Sequence, residues 1–362
     1  MKRVAKKRVA KKRVEEKHAP SSSVDLLALA DYVEQFSSKT VVLFGDFVAD
    51  EFQFGEISRV SREAPVLILR HRETHLVPGG GANAANNFAA LGTHVFPISA
   101  VGDDPAGDAL IAHFRRKRVD ISGILRVKGW TTPTKTRFLA GWAHTVGQQV
   151  LRVDREPHSP IPEAVHKKLQ AKLRAKLRSA HALAVSDYGF GVAAPVLVRQ
   201  AISEHKNAPP VTLDARHNLH AYAKAGITSA TPNEAELEAL HHVSIGQNLS
   251  ELTRCGAATL AEMRLRALLV TRGRHGMALF EPGDRQSHIS VYGSDQAVDV
   301  TGAGDTVLAA YTLALACGAS PLEAAHIANI AGGLVVMKRG TATVTRDELL
   351  AAIRHQAGGA AS

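Results

Sequence analysis

The segment DVTGAGDT, residues 299–306, sets two glycines and a carboxylate at the start of an apolar, alanine-rich stretch. We expect Thr301 to be the N-cap of a helix there, with Asp305 in its first turn. Three backbone N–H groups would converge on an anion at this positive helix end, those of Gly302, Ala303 and Gly304. The arrangement suits phosphoryl transfer, because the amides neutralise the transferred group while the carboxylate accepts a hydroxyl proton. The alternative is a glycine turn whose Asp only favours the helix dipole.

A second glycine cluster, PGGGANAANN at residues 78–87, precedes another predicted helix. Gly80 and its neighbours allow a ligand to approach the backbone, and Asn83 and Asn86 offer donors and acceptors suited to sugar hydroxyls. The segment is neither a Walker P-loop, since no G-K-S/T follows, nor a dinucleotide-binding fingerprint. A tight turn for close packing is the alternative interpretation.

Two further pairs of polar residues stand at the ends of predicted elements. Asp46 and Asp50 follow the strand-like run VVLFG at 41–45, where carboxylates either bind hydroxyls or cap a turn. Asn233 and Glu236, in TPNEAE, lie at a predicted helix start, where capping and dipole pairing compete with a role in a site. Both alternatives stay open for each pair.

Other chemistries have no residues to support them. His217 and His220, and the adjacent pair at 241–242, lack a Cys or carboxylate cluster at zinc spacing, so metal ligation is not expected. Neither G-x-S-x-G nor H-E-x-x-H occurs, which argues against hydrolase classes. The two cysteines, Cys255 and Cys317, are too few for a disulfide framework and indicate a reducing compartment, by default the cytoplasm.

The elements that must position these residues alternate between short β-branched runs and alanine-rich helical stretches, which is typical of α/β folds with a mostly parallel sheet. Buried strands are predicted at 41–45, 95–102, 182–187, 211–214, 227–231 and 267–271. Helices are predicted at 82–91, 105–117, 162–178, 192–205, 233–242, 303–317 and 321–337. Several strands end in Asp or Gly, and ligands in such sheets bind beyond the carboxyl ends of strands.

Two stretches break this alternation. Residues 52–71 and 124–153 are rich in β-formers and polar groups and contain no predicted helix. We expect them to pair as a small accessory sheet that acts as a lid over the carboxyl ends of the strands.

The composition supports one large α/β unit with an appendage. The 362 residues are 45% hydrophobic and 22% charged, with a mean hydropathy of −0.06, which excludes general disorder, a collagen-like fibre and a membrane bundle. Residues 1–18 hold nine Lys or Arg and two Glu, which is +7 of the total of +10. This period-five repeat of KRVAK is interpreted as a solvated tail; the alternative is non-specific contact with nucleic acid or acidic lipid.

These motifs together resemble the ribokinase (PfkB-type) carbohydrate kinase family over nearly all of residues 38–350. The resemblance depends on the paired signatures PGGGANAANNFAALG and DVTGAGDT, with TPNEAE and VTRGRHG, at 270–276, between them. Within the family, the stretches at 45–66, 134–137, 148–154 and 186–188 are most similar to members that phosphorylate a heptose 7-phosphate.

The resemblance implies roles residue by residue. Asp305 matches the catalytic base, and Gly302, Ala303 and Gly304 match the anion hole. The residues implied to bind ATP are Asn233, Glu236, Thr271, Gly273 and Asn329. The residues implied to bind the sugar are Asp46, Asp50, Gly80 and Asn83, to which we add three lid cations for the sugar's phosphate, Lys135, Arg137 and Arg152. These three could instead be solvated edge charges. Glu236 would act on Mg²⁺ indirectly, and Asp299 stands where related kinases bind a monovalent cation such as K⁺.

The fold implied is a ribokinase-like three-layer sandwich with a β-sheet lid that also pairs protomers into a homodimer. We expect a tail and linker at 1–37, the kinase domain at 38–355 and a flexible end at 356–362. The expected reaction is ATP- and Mg²⁺-dependent phosphorylation of the anomeric hydroxyl of a heptose 7-phosphate. No H-x-G-H nucleotidyl motif follows, so only the kinase step is expected here. The alternatives are a kinase for another sugar or sugar phosphate, and a nucleic-acid-associated binding protein that keeps a relic kinase fold.

Overall fold

The computed structural model describes residues 24–141, 148–294 and 296–359. In this part of the chain the strands are β1 (Thr40–Gly45), β2 (Phe47–Val60), β3 (Leu67–Gly80), β4 (His94–Gly102), β5 (Ile124–Val127), β6 (Thr134–Gly141), β7 (Gln148–Arg155), β8 (Ala182–Asp187), β9 (Val211–Ala215), β10 (Ser229–Ala230), β11 (Ala267–Thr271), β12 (Met277–Glu281) and β13 (Arg285–Ile289). The helices are α1 (Leu26–Glu34), α2 (Gly81–Ala90), α3 (Pro105–Arg116), α4 (Glu163–Leu177), α5 (Pro195–Ser203), α6 (Glu234–His241), α7 (Leu249–Met263), α8 (Ala303–Ala316), α9 (Pro321–Val335) and α10 (Arg346–Gly359).

Nine strands form the central sheet, in the order β13-β12-β11-β10-β9-β8-β1-β4-β5. The strands from β11 to β5 pair in parallel, whereas β12 and β13 complete one edge as an antiparallel hairpin. All six strands predicted from the sequence are present. The hairpin β12–β13 and the helix α7 were not predicted.

Helices cover both faces of this sheet because its strands bury alternate residues on opposite sides. On β1, Val41 and Leu43 pack into the core under α1, α2, α3, α8, α9 and α10. Val42 and Phe44 belong to the other core, under α4, α5, α6 and α7. The three-layer α/β fold is therefore confirmed.

The lid is a separate four-stranded sheet in the order β3-β2-β6-β7. β2 pairs antiparallel with β3 and parallel with β6, and β7 pairs antiparallel with β6. The expected lid segment 124–153 was too long at its start. β5 pairs with β4 at the edge of the central sheet, so the lid contribution from this region begins with β6.

The folded domain also extends beyond the boundaries expected at 38 and 355. α1 packs against α10, with Leu29, Val33 and Phe36 fully buried, so the last part of the expected linker belongs to the domain. α10 continues to Gly359, inside the segment expected to be flexible. The basic repeat itself lies outside the described residues. No helix in the described part of the chain is long and apolar enough to cross a bilayer.

Candidate active site

A polar cleft of about 330 Å³ lies between the lid and the carboxyl ends of the central strands. It brings together most of the side chains singled out from the sequence. The predicted site residues that line it are Asp50, Gly80, Asn83, Lys135, Arg137, Arg152, Asn233, Glu236, Thr271, Gly302, Gly304 and Asp305. They come from positions more than 250 residues apart in the chain, which only the fold can bring together.

Asp305 is the deepest carboxylate of the cleft, in the first turn of α8 and 3% exposed. Its Oδ2 accepts a hydrogen bond from Asn83 Nδ2 at 2.7 Å, and its Oδ1 accepts one from the Tyr188 hydroxyl at 3.2 Å. Burial raises the pKa of Asp305 to about 7, although both hydrogen bonds oppose that rise. A carboxyl with this pKa is suited to accept a proton near neutral pH.

The backbone before Asp305 requires glycine at 302. Gly302 is the N-cap of α8 with φ +78°, and a Cβ there would lie 2.5 Å from Asn83 Nδ2. Thr301 is therefore not the N-cap that the sequence indicated; its N–H donates to Asp299 Oδ1 at 2.9 Å. The Ala303 N–H donates to the carbonyl of Val300 at 3.2 Å, so this amide has a partner of its own.

The asparagines of the glycine cluster at residues 78–87 connect α2 to α8. Asn87 donates through Nδ2 to the Asn83 carbonyl at 3.0 Å, and the Thr306 hydroxyl donates to Asn87 Oδ1 at 2.7 Å. All three side chains are buried. Asn83 is thus held where its amide reaches Asp305, which explains why both glycine-rich motifs occur in one chain.

The lid supplies three of the four cationic side chains that line the cleft. Arg137 pairs with Asp50 at 2.6 Å, with both side chains at most 15% exposed. Arg152 forms two hydrogen bonds with Asp154, both at 2.8 Å. Lys135 lies over the Tyr188 ring, 5.4 Å from its centroid, and its pKa is lowered by burial and then by nearby Arg216.

Asp46 does not line this cleft, although the sequence placed it in the sugar site. Its carboxylate is fully buried and accepts three backbone N–H groups, from Tyr188 at 2.9 Å, Phe190 at 3.0 Å and Val192 at 2.8 Å. The structure thus places Asp46 beneath the loop that follows β8.

Two further carboxyl groups line the cleft, those of Asp214 and Glu236. Asn233 and Glu236 form a reciprocal capping box at the start of α6 and also face the cleft, so both interpretations of this pair hold. Burial raises the pKa of Glu236. Burial also raises the pKa of Asp214 well above its usual range, and the charge of Glu236 raises it further. Two neighbouring carboxyls that burial pushes towards protonation suit a divalent cation, which would neutralise both.

A smaller and more apolar cavity, of about 170 Å³, opens beside the cleft. Thr271 and Gly304 line both spaces, while Gly273, Ala303 and Asn329 line only the smaller one. Asn329 Nδ2 donates to the Ser290 carbonyl at 2.8 Å and so holds the chain after β13. The cavity suits the base of a nucleotide, whose phosphates would extend past Gly304 into the cleft.

Asp299 lies outside the cleft lining. It accepts backbone N–H groups from Thr301 at 2.9 Å and Gly340 at 3.0 Å, and so joins the start of α8 to the segment after α9. Within the described residues no cluster of three or more His, Cys, Asp or Glu is arranged to hold a metal.

Three cleft residues with ionisable side chains were missed by the sequence-based site prediction: Tyr188, Asp214 and Arg216. A signal for two of them existed, because Asp214 ends a predicted strand and Tyr188 follows Asp187 at another strand end. Arg216 had no such signal. Its position over the Tyr188 ring, 5.5 Å from the centroid, depends on the fold.

The α/β fold and the polar cleft beneath the lid are typical of small-molecule phosphotransferases. Residues 39–348 match the model of the pfkB family carbohydrate kinases, and the chain belongs to that family. It is therefore a carbohydrate kinase, an enzyme that transfers a phosphoryl group to an alcohol of a small molecule.

Among curated relatives, the chain is 38% identical over 316 residues to the bifunctional protein HldE of Geobacter metallireducens, and 40% identical over 326 residues to that of Caulobacter sp.. The matches cover 87% and 89% of this chain but only 63% and 64% of those proteins. The chain thus spans less than two thirds of their length.

Solved structures share the fold at lower identity. Ribokinase of Arabidopsis thaliana, complexed with ribose and ATP, superposes with a TM-score of 0.71 at 21% identity, covering 87% of this chain and 99% of that one. Phosphofructokinase-2 of Escherichia coli in complex with potassium gives 0.70 at 20% identity, covering 88% and 98%. These likenesses confirm the ribokinase-like architecture.

Proposed function

We propose that this kinase uses ATP to phosphorylate the anomeric hydroxyl of D-glycero-D-manno-heptose 7-phosphate, giving the 1,7-bisphosphate and ADP. The observation that carries the proposal is the division of the cleft. A buried carboxylate, Asp305, stands at the start of α8, and four cationic side chains also line the cleft, three from the lid and one that follows β9. The four are Lys135, Arg137, Arg152 and Arg216. A substrate with a hydroxyl at one end and a phosphate at the other matches both.

The proton of the attacking hydroxyl passes to Asp305. As the sugar oxygen forms its bond to the γ-phosphorus, the bond to the leaving ADP oxygen breaks, and the proton moves to a free lone pair of the carboxylate. The start of α8 faces the transferred group, where its unpaired N–H groups and dipole favour the negative charge. Asn83 holds the carboxylate oxygen at 2.7 Å and so fixes its direction.

The phosphate carried by the sugar would lie between the lid cations and Arg216. Lys135 and Arg216 form no ion pair with another described residue, whereas Arg137 and Arg152 each have a carboxylate partner. A dianion near Tyr188 would satisfy both unpaired cations at once, and a guanidinium can grip phosphate through two N–H groups. A free sugar offers no such charge.

ATP would use the neighbouring cavity, with its base near Asn329 and Gly273. Asp214 and Glu236 would hold Mg²⁺, directly or through water, because their oxygens are the ligands that this cation prefers. The ion, when bound, neutralises charge on the nucleotide phosphates. We also propose that Asp299 contributes to a K⁺ site next to the start of α8, since its carboxylate supplies oxygen ligands there and joins this turn to the segment after α9.

A coupled assay of ADP release with the purified protein tests the substrate. The panel contains heptose 7-phosphate, fructose 6-phosphate, ribose and adenosine at equal concentrations. We expect kcat/KM for heptose 7-phosphate to exceed each of the others by at least tenfold. Preference for fructose 6-phosphate would favour the second candidate, a kinase for another sugar phosphate that uses the same cations. Preference for ribose or adenosine would overturn the proposed role of the lid cations.

We further propose that two protomers pair through the outer face of the lid. Leu151 and Val153 alternate with Arg152 along β7, so they lie on the face opposite the cleft, and they are 54% and 44% exposed. Exposed apolar side chains on a strand are typical of a protein contact. Light scattering should give a dimer for the wild type and a monomer for Leu151→Glu; a monomeric wild type would refute the pairing.

A further inference from the structure

The loop after β8, residues 188–192, makes a contact with Asp305 that the sequence motifs did not indicate. The Tyr188 hydroxyl donates to Oδ1 of Asp305, and Asn83 donates to Oδ2. Each carboxylate oxygen therefore has one donor, and each keeps a lone pair for an incoming hydroxyl proton. Two donors on two different oxygens fix the plane of the carboxylate as well as its position.

The loop that carries Tyr188 is itself held from below by Asp46. Three of its backbone N–H groups, those of Tyr188, Phe190 and Val192, donate to the two oxygens of this one carboxylate at 2.8 to 3.0 Å. An ionised carboxylate only accepts hydrogen bonds, so it satisfies three buried or half-buried donors that have no strand or helix partner.

The loop conformation also depends on two glycines. Gly189 and Gly191 have φ values of +85° and +88°, which other residues rarely adopt. The Gly189 N–H donates to Asp187 Oδ1 at 2.8 Å, and the other oxygen of Asp187 accepts from the Tyr222 hydroxyl at 2.8 Å. Asp187 is also the charged group next to Asp46, so two carboxylates face the loop from below.

We infer that Asp46 and Tyr188 are positioning residues for the base. Asp46 fixes the loop through its backbone, and the Tyr188 hydroxyl then orients Asp305 and favours its ionised form. The inference rests on the proposed role of Asp305 as proton acceptor. Asp46 would then act on the reaction only through Tyr188 and Asp305, without contacting the substrate itself.

The test compares pH profiles of kcat/KM for the wild type, Tyr188→Phe, Asp46→Asn and the double variant. Removing the hydroxyl takes away a donor to the ionised carboxylate, so the acid limb should move to higher pH by about one unit, with kcat/KM at pH 7 falling about fivefold. Asp46→Asn should move the limb in the same direction. In the double variant the second substitution should add little, because both act through one hydrogen bond.

The other charged groups facing Asp305 are unchanged in all these variants. They are Asp50 on β2, and Asp214 and Arg216 at the end of β9. Their contribution to the acid limb is therefore common to every profile, and the differences report on the loop.

Two matched controls separate positioning from stability. Tyr32→Phe removes a tyrosine hydroxyl that donates to Glu323 at 3.4 Å, away from the cleft, and should leave the profile unchanged. Asp104→Asn changes a carboxylate that accepts the N–H groups of Gly107 and Thr132, both at 2.8 Å, and should lower the melting temperature without moving the acid limb.

The outcomes are distinct. A Tyr188→Phe enzyme with an unshifted acid limb, or shifts from the two substitutions that add fully, would overturn the inference. If Asp305→Asn itself retained activity, the proposed role of Asp305 as proton acceptor would be refuted, and the inference that rests on it would be refuted as well. If Asp305→Asn is inactive and Asp46→Asn only lowers the melting temperature, as Asp104→Asn does, the proposed function stands and the role of Asp46 is structural.

Discussion

Replacing Asp305 with Asn should stop turnover while making the protein more stable. The side chain is 3% exposed, and burial raises its pKa to about 7. The amide of Asn has the same shape, so its oxygen can still accept from Asn83 and its nitrogen can donate to the Tyr188 oxygen. What the substitution removes is the proton acceptor and the buried charge.

The magnitudes follow from these two losses. A general base contributes roughly 10²- to 10⁴-fold, so kcat should fall by that factor while the Kd for ATP stays within about twofold. A carboxyl whose pKa is 3.8 when unfolded and about 7 when folded binds its proton more tightly in the folded state. Its contribution to stability is present below pH 3.8 and is lost as the pH rises through 7, a loss of about 4 kcal/mol at most. The Asn side chain does not ionise, so the free energy of unfolding of this variant does not fall in this way as the pH rises.

Urea unfolding at pH 5 and pH 8 gives the free energy of unfolding, and single-turnover assays with ATP and sugar phosphate give the rate. The stability gain of Asp305→Asn should be larger at pH 8 than at pH 5. Asp120→Asn is the control, because hydrogen bonds from Ser122 lower the pKa of Asp120, so its loss should not stabilise the protein. A variant that keeps more than a third of wild-type kcat would show that Asp305 is not the base. A stability gain equal at both pH values would refute the burial argument.

Three further predictions test the lid, the N-terminal helix and the glycine turn. Arg137→Ala and Arg152→Ala should raise KM for the phosphorylated sugar, by about tenfold for each 1.4 kcal/mol of binding free energy lost, and leave KM for ATP nearly unchanged. Equal changes in KM for both substrates would show that these residues do not belong to the sugar site. Deleting residues 1–23 should leave kcat and the melting temperature nearly unchanged. Deleting residues 1–37 also removes the buried side chains of α1 and of Phe36, which follows it, each worth about 1.5–3 kcal/mol, and should destabilise or unfold the domain in a thermal melt. Gly302→Ala should reduce kcat by tenfold or more in the coupled assay, because its φ of +78° and the nearby Asn83 amide leave no room for a methyl group; an active Ala variant would contradict this.

The sequence alone determined the fold class and singled out Asp305 as the candidate proton acceptor. Short β-branched runs alternate with alanine-rich stretches at lengths that only parallel strands and covering helices accommodate, so the central sheet was predictable. Asp305 was identifiable because a carboxylate beside glycines at a helix start is a local arrangement. The spacing of the apolar residues likewise predicted the amphipathic helix α4, whose buried face carries Leu169 and Leu173.

Local signals failed where burial depends on distant partners. α1 follows a strongly basic repeat and looked like linker, yet α10, which lies more than 300 residues later, covers Leu29 and Val33. β5 was assigned to the lid because the residue pattern of a short strand does not indicate which sheet the strand joins. Its pairing with β4 is a tertiary contact.

Within the site, the sequence determined which residue types are available, and the tertiary structure decided what each one faces. Asp46 and Asp50 looked equivalent in the sequence, as carboxylates just after one strand. The loop after β8 buries Asp46 under three N–H groups, whereas the lid turns Asp50 towards Arg137 in the cleft. The physical reason is that a carboxylate's role depends on its solvation and partners, and these come from chain segments about 90 to 140 residues away.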